Sequence, residues 1–370
     1  MLHPFNEDKK EDNMQLSVCI IAKNEEQNIA RCLESLKPYE MEIVVVDTGS
    51  SDSTRDVALR YTENVYDFKW CDDFAVAKNF AISKATNEYV MVIDSDEYLE
   101  KIEIEKLQDM LEKNPDKVAR IQRRNFFVRN QQENEYTEWI NRIFLKEHFH
   151  YEGSIHEQVV AKNGKAYETY RAPVLILHSG YDLTEEERKE KAKRNIHLLL
   201  IELERLEQEK QTEQLPYILY QLGKSYYMAG DYLTACDYFS KGLTYDLNPQ
   251  LEYVIDMVET YGYALLNSGQ AEQALFFENI YNEFGNTADF QFLLGLIYMN
   301  NACFKEAVEE FLKATKHKEC KAKGVNSYSS YYNIGVIYEC LGNEELAREY
   351  YLKSGTYEPA IKRLKELDKN

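Results

Sequence analysis

The segment Tyr89-Val90-Met91-Val92-Ile93-Asp94-Ser95-Asp96 constrains this chain more than any other. An apolar run of strand length ends in two acids one residue apart. Residues i and i+2 of a strand share a face, so Asp94 and Asp96 are expected on one side, with Cα atoms roughly 6.5 Å apart at ~3.3 Å per residue. That gap suits two carboxylates gripping a divalent cation and a neighbouring sugar or phosphate. Upstream, Ile43-Val44-Val45-Val46 runs into Asp47-Thr48-Gly49-Ser50-Ser51-Asp52-Ser53-Thr54. Two buried strands that both end in acids predict a ligand site at the carboxyl edge of a parallel sheet.

The surrounding pattern agrees. Leu16–Ile21 reads as a first strand, and 26–37 as a helix with Ile29, Cys32, Leu33 and Leu36 on one face. Ser51-Asp52-Ser53-Thr54 offers N-cap residues for a helix through Arg60. Asn64-Val65-Tyr66 is a short third strand, and a helix is expected from Phe74 to Ala85. This β-α-β-α-β-α-β order predicts an α/β domain with a mostly parallel, Rossmann-like sheet over residues 15–182. Within it, 101–112 reads as helix. Val118–Val128, Ile140–Leu145, Gly153–Glu157 and Val174–His178 read as strands. A charged helix is expected from Glu185 to Lys210, opened by a Thr184/Glu187 capping box, so 183–214 reads as a linking helix.

From 215 to 370 the sequence repeats. Gly223, Gly262, Gly295 and Gly335 are each followed 12 residues later by an alanine: Ala235, Ala274, Ala307 and Ala347. An aromatic follows four residues on at Phe239, Phe311 and Tyr351, but the second unit has Glu278 there, with Phe277 beside it. Small residues let paired helices approach, and aromatics fill the gap between pairs. This is the tetratricopeptide pattern and predicts an all-α repeat domain.

Composition excludes some partners. Forty-four basic and 64 acidic residues give a net charge of −20. That argues against nucleic acid and against an anionic membrane surface. No apolar run reaches the ~20 residues of a membrane-spanning helix. Residues 1–14 carry no signal-peptide pattern and are expected to be a disordered lead-in. Seven cysteines stand singly, which suits a reducing, cytoplasmic setting rather than disulfides or zinc.

Four blocks occur together in one order: Ile20-Ile21-Ala22-Lys23-Asn24-Glu25, Val46-Asp47-Thr48-Gly49-Ser50-Ser51-Asp52-Ser53-Thr54, Ala77-Lys78-Asn79 and Ile93-Asp94-Ser95-Asp96. Jointly they resemble family 2 glycosyltransferases of the GT-A fold, over roughly half the chain. The resemblance implies an inverting transfer from a UDP-sugar, dependent on Mn²⁺ or Mg²⁺. It implies that Asp47 meets the uracil ring, that Ala22 and Glu25 border the nucleotide, and that Asp94 lies near the ribose. Asp96 would bind the metal, and Ser95 belongs with the nucleotide-sugar contacts. Lys78 stands where many relatives carry arginine, keeping the charge without the planar fork. Trp70-Cys71-Asp72-Asp73-Phe74-Ala75, Gly153-Ser154-Ile155-His156-Glu157 and His178-Ser179-Gly180-Tyr181, with the repeats, resemble a bacterial subgroup with tetratricopeptide tails. That subgroup includes S-glycosyltransferases acting on cysteine in glycopeptide bacteriocins.

An inverting transfer needs a base for the acceptor proton. Glu157, beside His156, is the first candidate, and the rival reading is a carboxylate that orients His156. Asp73 and Glu152 are alternative bases. A thiol acceptor would ask less of the base than an alcohol. His178 is a candidate third metal ligand or diphosphate contact, against a histidine packed under the next helix. Arg142 and Arg194, and the cluster Lys191, Lys193 and Arg194, are candidate phosphate contacts against surface cations. The expected acceptor is a peptide or protein, at Cys or Ser/Thr, with the repeats binding it or forming a homodimer. Alternatives are surface-glycan or lipid-linked oligosaccharide assembly, or a scaffold with a relic nucleotide site. A sugar nucleotidyltransferase is set aside, because the loop Ala22–Asn28 lacks the glycines that cradle a triphosphate.

Overall fold

The computed structural model describes residues 15–129, 132–178 and 185–368. The lead-in expected over 1–14, the Ser179-Gly180-Tyr181 segment and the Thr184 end of the capping box lie outside them. The chain divides into two compact units, Met1–Val128 with Thr137–Asp182, and Arg129–Tyr136 with Leu183–Asn370. The helix between sheet and repeats groups with the second unit.

The first unit runs β1 (Leu16–Ala22), α1 (Ile29–Leu36), β2 (Glu42–Asp47), α2 (Thr54–Ala58), β3 (Val65–Asp67), α3 (Phe74–Lys84), β4 (Tyr89–Asp94), β5 (Glu97–Ile102), α4 (Ile104–Lys113), β6 (Val118–Arg129), β7 (Gln132–Leu145), β8 (Phe149–Glu152), β9 (Gln158–Ala161) and β10 (Thr169–His178). Eight strands form one sheet in the order β3-β2-β1-β4-β7-β6-β10-β5, and β8 pairs with β9 apart from it. The central strands β1, β2 and β4 are covered on both faces, which explains their continuous apolar runs. Leu16, Val18, Ile20 and Ala22 of β1 pack with Ile29, Cys32 and Leu33 of α1. The intervening Cys19 and Ile21 pack with Ala77 and Ala81 of α3 on the other side.

Three sequence expectations change here. Residues 101–102 are strand, not helix: Leu99 and Ile102 are buried, and the β5 backbone pairs antiparallel with β10. Tertiary pairing overrides a helix-favouring composition. The segment 153–157 is the loop between β8 and β9, because Gly153 (φ +100°) and His156 (φ +52°) take left-handed backbone that no strand accommodates. Helix α2 ends at Ala58, short of Arg60.

The second unit contains α5 (Glu185–Glu209), α6 (Leu215–Ala229), α7 (Tyr232–Gly242), α8 (Glu252–Asn267), a 3₁₀ segment Gln273–Ile280, α9 (Tyr281–Phe284), α10 (Ala288–Asn300), α11 (Phe304–Ala314), α12 (Tyr328–Cys340), α13 (Glu344–Lys353) and α14 (Glu358–Leu367). The repeat glycines sit against rings: a Cβ on Gly223 would lie 2.5 Å from Phe239, on Gly295 2.7 Å from Phe311, and on Gly335 2.6 Å from Tyr351. The second pair solves the displaced aromatic by winding. Its second helix is 3₁₀, with three residues per turn, so Phe277, three after Ala274, reaches the face that a residue four on takes elsewhere. Both are fully buried, and Phe277 lies under Gly262. No helix among the described residues is long and apolar enough to cross a membrane.

Candidate active site

Strands β2, β1 and β4 run parallel and end side by side. Ala22 lies opposite Asp47, and Ile21 opposite Asp94, so the acids flank Ala22 at the carboxyl edge. The loops beyond β1 and β2 are laced together. Asn24, at φ +57°, donates its N–H to Ser50 Oγ (2.9 Å), and the Ser51 N–H donates to Asn24 Oδ1 (2.8 Å). The Glu25 N–H donates to Thr54 Oγ1 at 2.7 Å. Ser50 and Thr54 thus tie the two loops together. The buried Asp47 carboxylate accepts the Ser50 N–H at 3.2 Å, and the Glu25 carboxylate accepts from Asn28 Nδ2 at 2.8 Å.

Asp94 sits between two buried cations. Lys78 Nζ lies 2.9 Å from its Oδ1, and an Arg142 Nη2 lies 2.8 Å from its Oδ2. Lys78 also reaches Glu157 Oε1 at 2.6 Å, and Arg142 reaches Glu97 Oε1 at 3.2 Å. Glu97, fully buried, accepts the Asp94 N–H (2.9 Å) and an Arg123 Nη1 (2.9 Å). Burial would push the Asp94 carboxyl up, but Arg142 and Lys78 hold it well below the usual carboxylate range. Burial would likewise push the Lys78 ammonium down, and Asp94 with Glu157 reverses this. The group is a fixed charge array rather than a set of free side chains.

Asp96 and His178 meet beyond it, Oδ2 to Nε2 at 3.2 Å. Pairing of β10 with β5 sets His178 opposite Glu97, one residue past Asp96. A carboxylate oxygen and an imidazole nitrogen are donors that suit Mn²⁺ and, less closely, Mg²⁺. Among the described residues no group of three or more His, Cys, Asp or Glu side chains forms a self-sufficient metal site. The two donors fit an ion that takes its remaining ligands from phosphate and water.

Loop 153–157 is tied to α3. Asn79 accepts the Tyr151 N–H (2.9 Å) and donates Nδ2 to the Tyr151 carbonyl (2.8 Å), and the Phe74 N–H donates to the Ser154 carbonyl (2.9 Å). These bonds carry Glu157 to Lys78, while His156 holds the bend beside it. The buried Tyr151 phenol, close to Lys78 and Arg142, is pushed up to about 12 by burial. Ser95 is buried between its acids. Of the alternative bases, Asp73 caps α3 by accepting the Val76 N–H at 2.8 Å, and Glu152, largely exposed, pairs with His150 at 2.9 Å. Arg142 is a buried partner of carboxylates, not a surface cation. Lys193 pairs with Glu190 on an exposed face of α5, and Arg194 is exposed on the same helix.

The structure thus joins Lys78, Asp94 and Glu157, and separately Asp96 with His178. Sequence reasoning missed Glu97, Arg123, Asn125 and Glu138, which support them. The available signal was charge inside apolar strands: Arg142 within Ile140–Leu145 has no reason to be there without a buried acid.

The sequence pattern described as Glycosyl transferase family 2 matches residues 17–163, and that of the Tetratricopeptide repeat matches 328–360. The chain carries a family 2 glycosyltransferase domain followed by tetratricopeptide repeats. It is 27% identical over 306 residues to the SPbeta prophage-derived glycosyltransferase SunS of Bacillus subtilis, covering 79% of this chain and 68% of that protein. A TPR repeat-containing protein of Synechococcus elongatus is 40% identical over 85 residues, 23% of this chain and 21% of that one. Among solved structures, S. aureus TarS 1-349 aligns at a TM-score of 0.34 with 14% identity, over 82% of this chain and 92% of that one. The matched residues 17–163 include the acids at the strand ends.

Proposed function

We propose that the enzyme transfers a hexose, with inversion, from a UDP-sugar to a cysteine or hydroxyl of a peptide or protein. The observation that carries this reading is the row Asp47, Ala22 and Asp94 along adjoining strand ends, with the Asp96–His178 pair one turn beyond. In this reading Asp47 and Ala22 receive the base, and Asp94 receives the ribose hydroxyls while Lys78 and Arg142 keep it ionised. Glu157 takes the acceptor proton as the new C1–S or C1–O bond forms and the C1–O bond to the diphosphate breaks. Its pairing with Lys78 at 2.6 Å holds the carboxylate in place. Asp96 and His178 would hold Mn²⁺ or Mg²⁺, which supplies charge neutralisation for the departing diphosphate. All seven cysteines are free, which fits a cytoplasmic enzyme. Tetratricopeptide repeats present extended surfaces for other chains, which favours a polypeptide acceptor or self-association.

The test is Asp96→Ala, assayed for UDP release with a panel of UDP-sugars and Cys- and Ser-containing peptides. Turnover should fall by roughly 10²–10³-fold, as when a charge-stabilising group is lost, with circular dichroism unchanged. Turnover within a few-fold of wild type would remove the acid from the reaction.

A further inference from the structure

Asn125 is fully buried on β6 and stands opposite His178 in the pairing of β6 with β10. Its amide is held at both ends. Nδ2 donates to Glu138 Oε1 at 2.8 Å, and Oδ1 lies 2.7 Å from His178 Nδ1. The orientation is dictated by what each partner can do. A carboxylate only accepts, and Glu138 Oε1 already takes two N–H donors from Arg123 at 2.9 and 3.1 Å. The amide NH₂ must therefore face Glu138, which leaves only the carbonyl oxygen for the histidine. A carbonyl oxygen accepts, so the ring nitrogen facing it, Nδ1, must carry the proton.

A neutral imidazole has one N–H. With that proton on Nδ1, Nε2 presents a lone pair, and it presents it to Asp96 Oδ2 at 3.2 Å. A divalent cation bound there would meet a lone pair from each group. Two adjacent ligands of an octahedral ion bound at ~2.1 Å lie roughly 3 Å apart, close to the observed separation.

Resting on the metal reading above, we propose that Asn125, locked by Glu138 and Arg123, is a positioning residue. It fixes the Nδ1–H form of His178, so that Nε2 and Asp96 together make a two-donor seat for a divalent cation. The chain runs Arg123, Glu138, Asn125, His178, and each link is set by the one before it. None of the first three is expected to touch substrate.

Two measurements decide this. In ¹⁵N-histidine-labelled wild-type protein at about pH 8, two-bond ¹H–¹⁵N correlations read the protonation form of His178, assigned by its loss in His178→Gln. The Nδ1–H form is expected; an Nε2–H form or an imidazolium overturns the proposal. This needs no variant at Asn125 to fold. Manganese titration by electron paramagnetic resonance, with UDP present, then compares variants. Asn125→Ala should weaken Mn²⁺ binding by about 10–100-fold, the usual effect of losing such an outer partner. Folded Asn125→Ala that binds Mn²⁺ as wild type does would refute the positioning role. Wild-type protein that binds no Mn²⁺ with UDP would sink the metal reading itself, and this inference with it.

Discussion

Lys78 shows how much one residue carries at this site. It is almost wholly buried, and it is the cation shared by Asp94 and Glu157 at 2.9 and 2.6 Å. Removing one member of a buried ionic group leaves the others uncompensated, at a cost of about 3–5 kcal/mol. Lys78→Met, similar in volume and uncharged, should therefore lower stability by about that amount in urea unfolding and abolish transfer. Unfolding at the wild-type midpoint would show that the Lys78 charge is not needed to hold the two carboxylates. The acids, Lys78, Glu157 and His178 could be singled out in the sequence because each belongs to a short motif. Their supports could not, because Glu97, Arg123, Asn125 and Glu138 come to the site only through β5 folding back on β10 and through the β6–β7 pair. Glu157 illustrates the boundary: its motif was visible, but its partner Lys78 lies 79 positions earlier and meets it only because Asn79 ties α3 to Tyr151.

At the scale of elements, the repeat glycines are spacers whose worth can be measured. In Gly295→Ala the helix would gain about 1 kcal/mol of propensity. The new Cβ, however, would stand 2.7 Å from the Phe311 ring, which is fully buried and cannot swing away. Overpacking of that kind costs about 1–3 kcal/mol. The net expectation is a loss of roughly 1 kcal/mol, a fall of a few degrees in Tm by calorimetry. A rise in Tm would mean that α10 and α11 separate freely. The repeat pattern was readable because glycine, alanine and ring recur at fixed offsets. The 3₁₀ winding of 273–280 was not, since Phe277 reads as a displaced residue until a three-residue turn puts it under Gly262. Likewise, nothing local distinguishes 97–102 from the start of a helix; the partner strand β10, some 70 residues on, decides it.

Across the whole molecule the two units should answer acid in different ways. In the first, Asp94 is held below its ordinary value, so its contribution is complete above about pH 4 and is lost only as pH falls further. In the second, Glu259 of α8 is pushed up to about 7 by burial, against the pull of Lys321, whose Nζ lies 2.7 Å from Oε2, and with Asp289 and Asp256 raising it further. Its other oxygen, Oε1, is buried without a hydrogen-bond partner among the described residues. A carboxyl whose folded value exceeds its unfolded one favours the folded state when protonated. Its penalty grows as pH rises from about 4.5 and levels off above about 7. Lowering pH from about 8 to about 5.5 should therefore stabilise the helical unit by about 2 kcal/mol while leaving the Asp94 contribution unchanged. Hydrogen exchange followed by mass spectrometry reads each unit separately: amides of α8 and α10 should gain protection over that interval, and those of β1 and β4 should not. Glu259→Gln, neutral at every pH, should remove most of the gain. If the variant keeps the full pH response, the titrating group lies elsewhere in the repeats, and the buried carboxyl of α8 is ionised in the folded protein throughout.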